Sequence, residues 1–335
     1  MEKVLVTGGT GFLGVHLVRA LVQRRYDVRV LTRDPARVRG QTHLPVEIVA
    51  GDITSPQDVR RAVEGCQGVF HLAAKVTLSA KEADEVFAVN VEGTRNVMEA
   101  ALETGVRRVV HVSTIGTLEG PSEDSVVDET CPLRTSDVGT PYLDSKVHAE
   151  RVVLDIMQRG LPALIVNPGG MIGPEDNFHS PSSALLKLFF HRINPFVVAW
   201  RLNLVDVRDV ADGLVQAYRN GRLGERYILG GENTDTVTVF RYLREITDFN
   251  RAIWPLAWET LEMLSELSAL LSQPLVEKSV ATFYHYAFWA SSEKAERELG
   301  YKHRALGETL ADAAAWYQAT FLKPQPWASS YLAGE

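Results

Sequence analysis

Cysteine is nearly missing: the 335 residues hold two, Cys66 and Cys131. They have no metal-ligand spacing and are too few for a disulfide framework. That sets aside the disulfide-stapled secreted classes and points to a reducing, cytoplasmic setting. No run reaches the roughly 20 uncharged apolar residues of a membrane span. The nearest, Ala184 to Trp200, is interrupted by Lys187, His191 and Arg192. The apolar start Val4-Leu5-Val6 meets glycine too early for a signal peptide. Blocks of Lys and Arg are lacking, and a net charge of -7 argues against nucleic acid as a partner. Tandem repeats and low-complexity tracts are lacking too. What is left is an ordinary soluble composition, 45% hydrophobic and 23% charged, long enough for one large domain or two unequal ones.

What is present is an alternation. Apolar runs of strand length fall at Val4–Thr7, Val28–Thr32, Val46–Ala50, Val69–Leu72, Val109–Val112 and Leu164–Val166. Helical patterns lie between them at Phe12–Gln23, Pro56–Val63, Ala83–Glu103 and Val138–Arg159. Fully apolar strands separated by helices predict a parallel sheet covered on both faces. Beyond residue 170 the rhythm is lost: Met171 to Asn203 has no clean period. Arg226–Leu229 reads as one more strand, Ile253–Leu271 as helical, and Ser291–Leu322 as two helices joined near Gly300. The expected architecture is α/β: a doubly wound parallel Rossmann-type sheet over residues 1–170, and a small, mostly helical substrate lobe over 171–335. Residues 204–230 are expected to return to the sheet.

The first strand runs into Gly8, Gly11 and Gly14 and then into a helix. Gly8 permits the tight turn, Gly11 lets backbone approach a pyrophosphate, and Gly14 lets helix pack on strand. The spacing also reads as Gly9-x-Gly11-x-x-Gly14. Thr10, Phe12 and Leu13 complete the loop, whose helix N-terminus suits phosphate. After the second strand, Arg33 stands where an NAD site usually carries an acid, with Arg37 one turn on. A guanidinium fork suits a 2′-phosphate, so NADP is favoured over NAD. The competing reading leaves Arg33 to solvent and gives the ribose to Asp34. Asp52 and Ile53 follow the third strand, where an acid can accept from an adenine amino group and Ile53 cover the ring. Leu72, Ala73 and Ala74 follow the fourth, leaving room for a cofactor crossing the strand ends.

Tyr142 and Lys146 are four residues apart in a helical pattern and so share a face. A phenol ordinarily titrates near 10, and a neighbouring ammonium is expected to lower that value and fit the group to trade protons with a carbonyl or an alcohol. With ten Tyr and nine Lys, chance supplies about 0.27 such pairs in this chain, so the weight comes from its place after the fifth strand. Ser113 and Thr114 end that strand, where a hydroxyl can orient a substrate oxygen.

Together these stretches resemble the extended short-chain dehydrogenases/reductases of the NAD-dependent epimerase/dehydratase superfamily. They are Thr7-Gly-Gly-Thr-Gly-Phe-Leu-Gly14, Gly51-Asp-Ile53, His71-Leu-Ala-Ala74, Asn90-Val-Glu-Gly-Thr94, Val112-Ser-Thr114 and Tyr142-x-x-x-Lys146. Asn167-Pro-Gly169, Val205 to Ala211, Tyr227 to Glu232 and Glu298 to Tyr301 extend the likeness over nearly the whole chain. The nearest flavour is the dihydroflavonol 4-reductase-like and hopanoid-associated epimerase-like branch. The resemblance implies Thr114 as the catalytic hydroxyl, with Ser113 competing, and Tyr142 as acid/base. It implies that Lys146 tunes Tyr142 and binds the nicotinamide ribose, and that Asn90, Pro168 and Gly169 lie at the cofactor. It also implies a homodimer through the helices near 83–103 and 138–159. No metal is implied, and the partner is a small-molecule substrate. Two departures touch the substrate: Leu118-Glu119-Gly120 replaces the Tyr-Gly common in relatives, and Ile253 to Trp289 is rich in aromatics and Leu, read as lobe core before pocket lining. The leading expectation is a carbonyl reductase or alcohol dehydrogenase. The rivals are a nucleotide-sugar epimerase or dehydratase that retains NAD, and a non-catalytic dinucleotide sensor.

Overall fold

The computed structural model describes residues 1–41, 43–77, 79–122, 125–135, 137–177, 184–191, 195–257, 260, 263 and 289–322. Seven parallel strands make the central sheet. They are β1 (Lys3–Thr7), β2 (Asp27–Thr32), β3 (Glu47–Ala50), β4 (Gly68–His71), β5 (Arg108–Val112), β7 (Ala163–Pro168) and β11 (Arg226–Leu229). Their order is β11-β7-β5-β4-β1-β2-β3, and every pairing is parallel. β1 and β4 lie at the centre, and successive strands step outward to either side. That reversal of direction is where a doubly wound sheet opens a crevice at its carboxyl edge.

The apolar strand runs predicted this arrangement because a strand buried on both faces has no polar side to show. One face is packed by α1 (Phe12–Gln23) and α8 (Val207–Asn220), with Leu17, Leu21, Val210 and Leu214 essentially inaccessible. The other face is packed by α3 (Pro56–Val63), α5 (Gly93–Glu103) and α6 (Pro141–Gln158), through Val59, Val97, Met98, Val153 and Ile156. Each such side chain contributes about 1.5–3 kcal/mol relative to exposure. Ser55 caps α3 by accepting from the Asp58 amide. α2 (Pro35–Gln41) joins β2 to β3, and α4 (Ala83–Phe87) precedes α5.

The remaining strands are short. β6 (Val126–Val127) pairs with β14 (Trp289–Ala290). β8 (Gly170–Ile172), β10 (Arg201–Asp206) and β12 (Glu232–Asp235) form a three-stranded sheet. β9 (Phe196–Val198) pairs with β13 (Trp254–Leu256). α7 (Ala184–Phe190), α9 (Thr236–Ile246), α10 (Glu293–Leu299) and α11 (Leu306–Tyr317) complete the chain. A separate core of Phe189, Phe190, Phe240, Leu310 and Tyr317 sits under α7, α9 and α11.

Some boundaries differ from the sequence reading. The expected helix over 138–159 starts at Pro141, a residue suited to a first helical position, because the Asp144 carboxylate accepts from the Val138 and Gly139 amides and holds them outside it. The pattern over 83–103 is broken by a π-turn at Ala88–Glu92. Within the expected helix from Ile253, Trp254–Leu256 is extended and paired. Pro255 disfavours a helical Trp254 and removes a donor. Most of the rest of that pattern lies outside the described residues. Gly300, at φ 72°, ends α10 as expected. Among the described residues no helix is long and apolar enough to cross a membrane.

Candidate active site

Glycine sets the first wall. Gly8 has φ 74°, and a Cβ there would lie 2.6 Å from the Ala73 nitrogen. A Cβ on Gly14 would lie 2.1 Å from the Gly8 carbonyl oxygen. At Gly11 the nearest atom would be that same oxygen at 3.3 Å, so its outer side is open. The Gly11 amide donates to Gly8 at 2.9 Å and closes the turn. α1 begins with no side-chain cap and no acid in its first turn. Its leading amides, those of Phe12 and Leu13 among them, therefore face the crevice with their partial positive charge uncompensated. Both side chains are buried beneath. Gln41 reaches from α2 to donate to the Thr10 carbonyl at 3.2 Å. The missing Cβ atoms of Gly8 and Gly14 let the turn close against Ala73 and against itself, and the missing Cβ of Gly11 leaves its outer side open.

Along the same edge, Arg33 is 73% exposed, and its Nη1 lies 3.9 Å from Asp52 Oδ2. Asp34 is occupied: its Oδ1 accepts from the Ala36 and Arg37 amides at 3.0 and 3.2 Å and caps α2. Asp52 Oδ1 accepts from Thr54, which leaves Oδ2 toward Arg33. Ile53 is buried under Gly93 in the helix layer and lends this wall only its small exposed edge. The Leu72 amide donates to Thr7 at 3.1 Å. Ala73 is half-buried and Ala74 exposed beside the glycine turn. Pro168 is buried at the end of β7. A Cβ on Gly169 would lie 2.3 Å from Asn203 Oδ1.

The chemistry-bearing side chains come from β5 and α6. Ser113 is buried, and its hydroxyl donates to Glu150. Thr114 is half-buried, and among the described residues its Oγ1 accepts only the Gly116 amide, at 3.3 Å. Of the two hydroxyls, Thr114 is the one with no acceptor among the described residues. Tyr142 is half-buried near the start of α6, and among the described residues its hydroxyl has no protein partner. Lys146 is buried, and its Nζ donates to the Val112 carbonyl at 2.8 Å.

One expectation needs correction. Burial pushes the Tyr142 phenol up to about 12, where a lowered value was expected. Lys146 does not offset this: its ammonium is committed to the β5 carbonyl, and burial lowers it to about 8. The phenol is therefore protonated at neutral pH. The amide of Asn90 is spent on the fold. Its Oδ1 accepts from the Lys75 amide at 2.7 Å, and its Nδ2 donates to the Lys75 carbonyl and to Ser145 Oγ. It holds the loop after β4 against α6.

The sequence reading missed Glu150. Its side chain is fully buried and accepts from Ser113, Thr117, Asn167 and Arg226. Its spacing, four residues after Lys146 as Lys146 is after Tyr142, was the available signal. Among the described residues no cluster of three or more His, Cys, Asp or Glu is set to hold a metal.

Lys146 yields a stability prediction. Its folded value lies below its unfolded one, so the cost is complete below about pH 8 and fades as pH rises toward 10.5. The penalty is on the order of 3 kcal/mol. Lys146→Met is expected to melt higher than the parent at pH 7, with a gap that narrows by pH 9.5. Calorimetry at the two pH values measures it, and a constant gap would remove the burial argument.

The comparisons with known proteins identify the family. The family model described as "NAD dependent epimerase/dehydratase family" matches residues 4–230. A putative dihydroflavonol 4-reductase from a Synechocystis species is 35% identical over 327 residues, covering 93% of this chain and 94% of that protein. Sterol demethylase protein B from Methylococcus capsulatus is 32% identical, covering 94% and 98%. The crystal structure of gox2253 superposes with a TM-score of 0.86 at 33% identity, covering 97% of this chain and 100% of that one. The chain belongs to the NAD-dependent epimerase/dehydratase family and is an NAD(P)-dependent oxidoreductase of the extended short-chain dehydrogenase/reductase superfamily.

Proposed function

We propose that this enzyme interconverts a carbonyl and an alcohol on a small substrate, with NADP(H) as its cofactor. The observation that carries the reading is Tyr142, half-buried on α6 one turn before Lys146 with no protein partner for its hydroxyl among the described residues, together with Thr114 just past β5, at the carboxyl edge of the sheet where the glycine turn also lies. The cradle fits a pyrophosphate: Gly8, Thr10, Gly11 and Gly14, with the amides of Phe12 and Leu13, would hold it. Asp52 and the edge of Ile53 would meet the adenine, Leu72 to Ala74 line the crossing, and Pro168 and Gly169 flank the nicotinamide end. When bound, the dinucleotide supplies or takes up the hydride. Tyr142, protonated at neutral pH, gives its proton to the substrate oxygen. Thr114 donates a hydrogen bond to the same oxygen and orients it. Lys146, whose ammonium donates to the Val112 carbonyl at the end of β5, would hold the nicotinamide ribose.

Arg33 supports the phosphorylated cofactor. Its guanidinium is exposed, with the Asp52 carboxylate 3.9 Å away, while Asp34, the alternative ribose acceptor, caps a helix. Arg33→Ala is expected to weaken NADPH binding about 10–100-fold, the worth of charge-assisted hydrogen bonds to a phosphate, and NADH binding by less than about threefold. Equal losses in fluorescence titrations of the two would remove the assignment. The overall reading is tested by mass spectrometry of molecules released from the purified protein, then by NADPH oxidation against a carbonyl panel. Retained NAD with no turnover of free NADPH would favour the epimerase or dehydratase reading. The free cysteines suit a cytoplasmic enzyme, and a homodimer through α5 and α6 completes the reading, with light scattering as its check.

A further inference from the structure

A carboxylate with no exposure needs a reason. Glu150 sits on α6 one turn after Lys146, and its two oxygens are divided. Oε2 accepts from Ser113 Oγ, from Thr117 Oγ1 at 2.8 Å and from Asn167 Nδ2 at 3.3 Å. Oε1 accepts from the Arg226 guanidinium, with Nε at 3.1 Å. The carboxylate thus joins the end of β5, the turn after it, β7 and β11. Asn167 Nδ2 also donates to the Thr114 carbonyl at 2.9 Å. Ser113 and Asn167 therefore tie Glu150 to the backbone that presents Thr114.

The surroundings of Lys146 make the charge matter. From β4 comes His71, bonded to Thr7 and Thr94 and held neutral by burial, down to about 3. From β5 come the Val112 carbonyl and His111, also held neutral by burial. The two rings lie 5.4 Å apart. On α6 itself, Tyr142 is neutral at physiological pH. Among these groups Glu150 is the carboxylate that favours the ammonium, and Arg226 stands behind it as counter-charge.

We infer that Glu150 is a positioning residue of the active site: its buried carboxylate keeps Lys146 charged and, through Ser113 and Asn167, fixes the strand end that carries Thr114. Removing a buried pair's acid leaves its base uncompensated in low dielectric, so the two partners act on Lys146 with opposite sign. The consequence for turnover rests on the catalytic reading above; the charge itself does not.

The test follows Lys146 without substrate or cofactor. The full chain, labelled with [ε-¹³C]lysine, is titrated by NMR, and Lys146→Arg assigns the resonance. The parent is expected to titrate near the value of about 8 given above. Glu150→Gln should move the midpoint down by about one unit or more, and Arg226→Gln should move it up. The double variant should fall between the two. Loosened packing would admit water and move every variant upward, toward the ordinary lysine value. A Glu150→Gln midpoint unchanged or raised would therefore overturn the inference. So would single variants that shift in the same direction. If Glu150→Gln is too poorly folded to titrate, Arg226→Lys, which keeps the charge, decides: a raised midpoint in Arg226→Gln with Arg226→Lys at the parent value supports the inference, and equal upward shifts in both, or no rise in Arg226→Gln, would overturn it. Midpoints that behave as expected, alongside unimpaired turnover in Glu150→Gln, would count against the catalytic use of Lys146 and leave the electrostatic role standing.

Discussion

Tyr142→Phe is expected to lose about 10²–10⁴-fold in kcat, the range set by a general acid delivering a proton in the transition state, while the dinucleotide binds nearly as before. The asymmetry follows from the local geometry. The Tyr142 hydroxyl has no protein partner among the described residues, so its loss leaves no donor or acceptor of the fold unsatisfied. The ring itself stays in place, half-buried on α6. The glycine cradle and the Arg33 region are formed by other elements, so cofactor affinity has no reason to fall with the phenol. Steady-state reduction with NADPH and a parallel fluorescence titration separate the two quantities. A variant that turns over at the parent rate would exclude Tyr142 as the proton source, and one that loses binding and turnover together would make the tyrosine a structural group. The elevated value of about 12 in the empty site sharpens the expectation. A protonated phenol is ready to serve carbonyl reduction at neutral pH, whereas alcohol oxidation needs the phenolate. Oxidation should therefore gain with rising pH until Lys146 loses its own proton near 8.

The strands were legible because a parallel sheet covered on both faces demands largely apolar runs: Val4–Val6 is wholly apolar, and Val28–Leu31 and Val109–Val112 are each interrupted by a single residue, Arg29 and His111. Phe12–Gln23 and Pro56–Val63 were equally plain, the first because glycine precedes it, the second because Ser55 and Pro56 announce a helix start. The positions of Gly8 and Gly14 could be read because only a missing Cβ satisfies those contacts. The lobe was harder. β8, β10 and β12 are three, six and four residues long and pair across distant parts of the chain, so no local period marks them. The choice of Thr114 over Ser113 depends on which hydroxyl a buried carboxylate claims, and that carboxylate is 37 residues from Ser113. Glu150 itself resembled an ordinary charge on a solvated helix face until β5, β7 and β11 closed over it. The raised Tyr142 value was illegible for a related reason: helical spacing places an ammonium on the right face, but the Val112 carbonyl decides where that ammonium points.

Gly14→Ala carries the second large effect, and its sign is not obvious at the start. Inside a helix, alanine is ordinarily better than glycine by about 0.8–1 kcal/mol. Gly14 is the third residue of α1, so propensity alone predicts a more stable protein. The contacts predict the reverse. The new Cβ would lie 2.1 Å from the Gly8 carbonyl oxygen and 2.7 and 2.8 Å from Gly9 Cα and C. All three are backbone atoms, so no rotamer change relieves the clash; either the turn opens or α1 withdraws from β1. Withdrawal is opposed by Leu17, Val18 and Leu21, each buried against the sheet or α8. Overpacking of this kind costs about 1–3 kcal/mol, which exceeds the propensity gain. Relief by opening the turn shifts the amides of Gly11 and Phe12 out of their cradle and abolishes dinucleotide binding. Gly307 in α11 is the control: a Cβ there meets nothing within 4 Å, so Gly307→Ala should be neutral or stabilising by up to about 1 kcal/mol. Thermal melts with and without NADPH measure both variants. Gly14→Ala should melt lower than the parent and gain nothing from the cofactor. A Gly14→Ala protein that melts as high as the parent and is stabilised by NADPH would show that the turn does not need its missing side chain, and the cofactor site would have to be sought away from the N-terminus of α1.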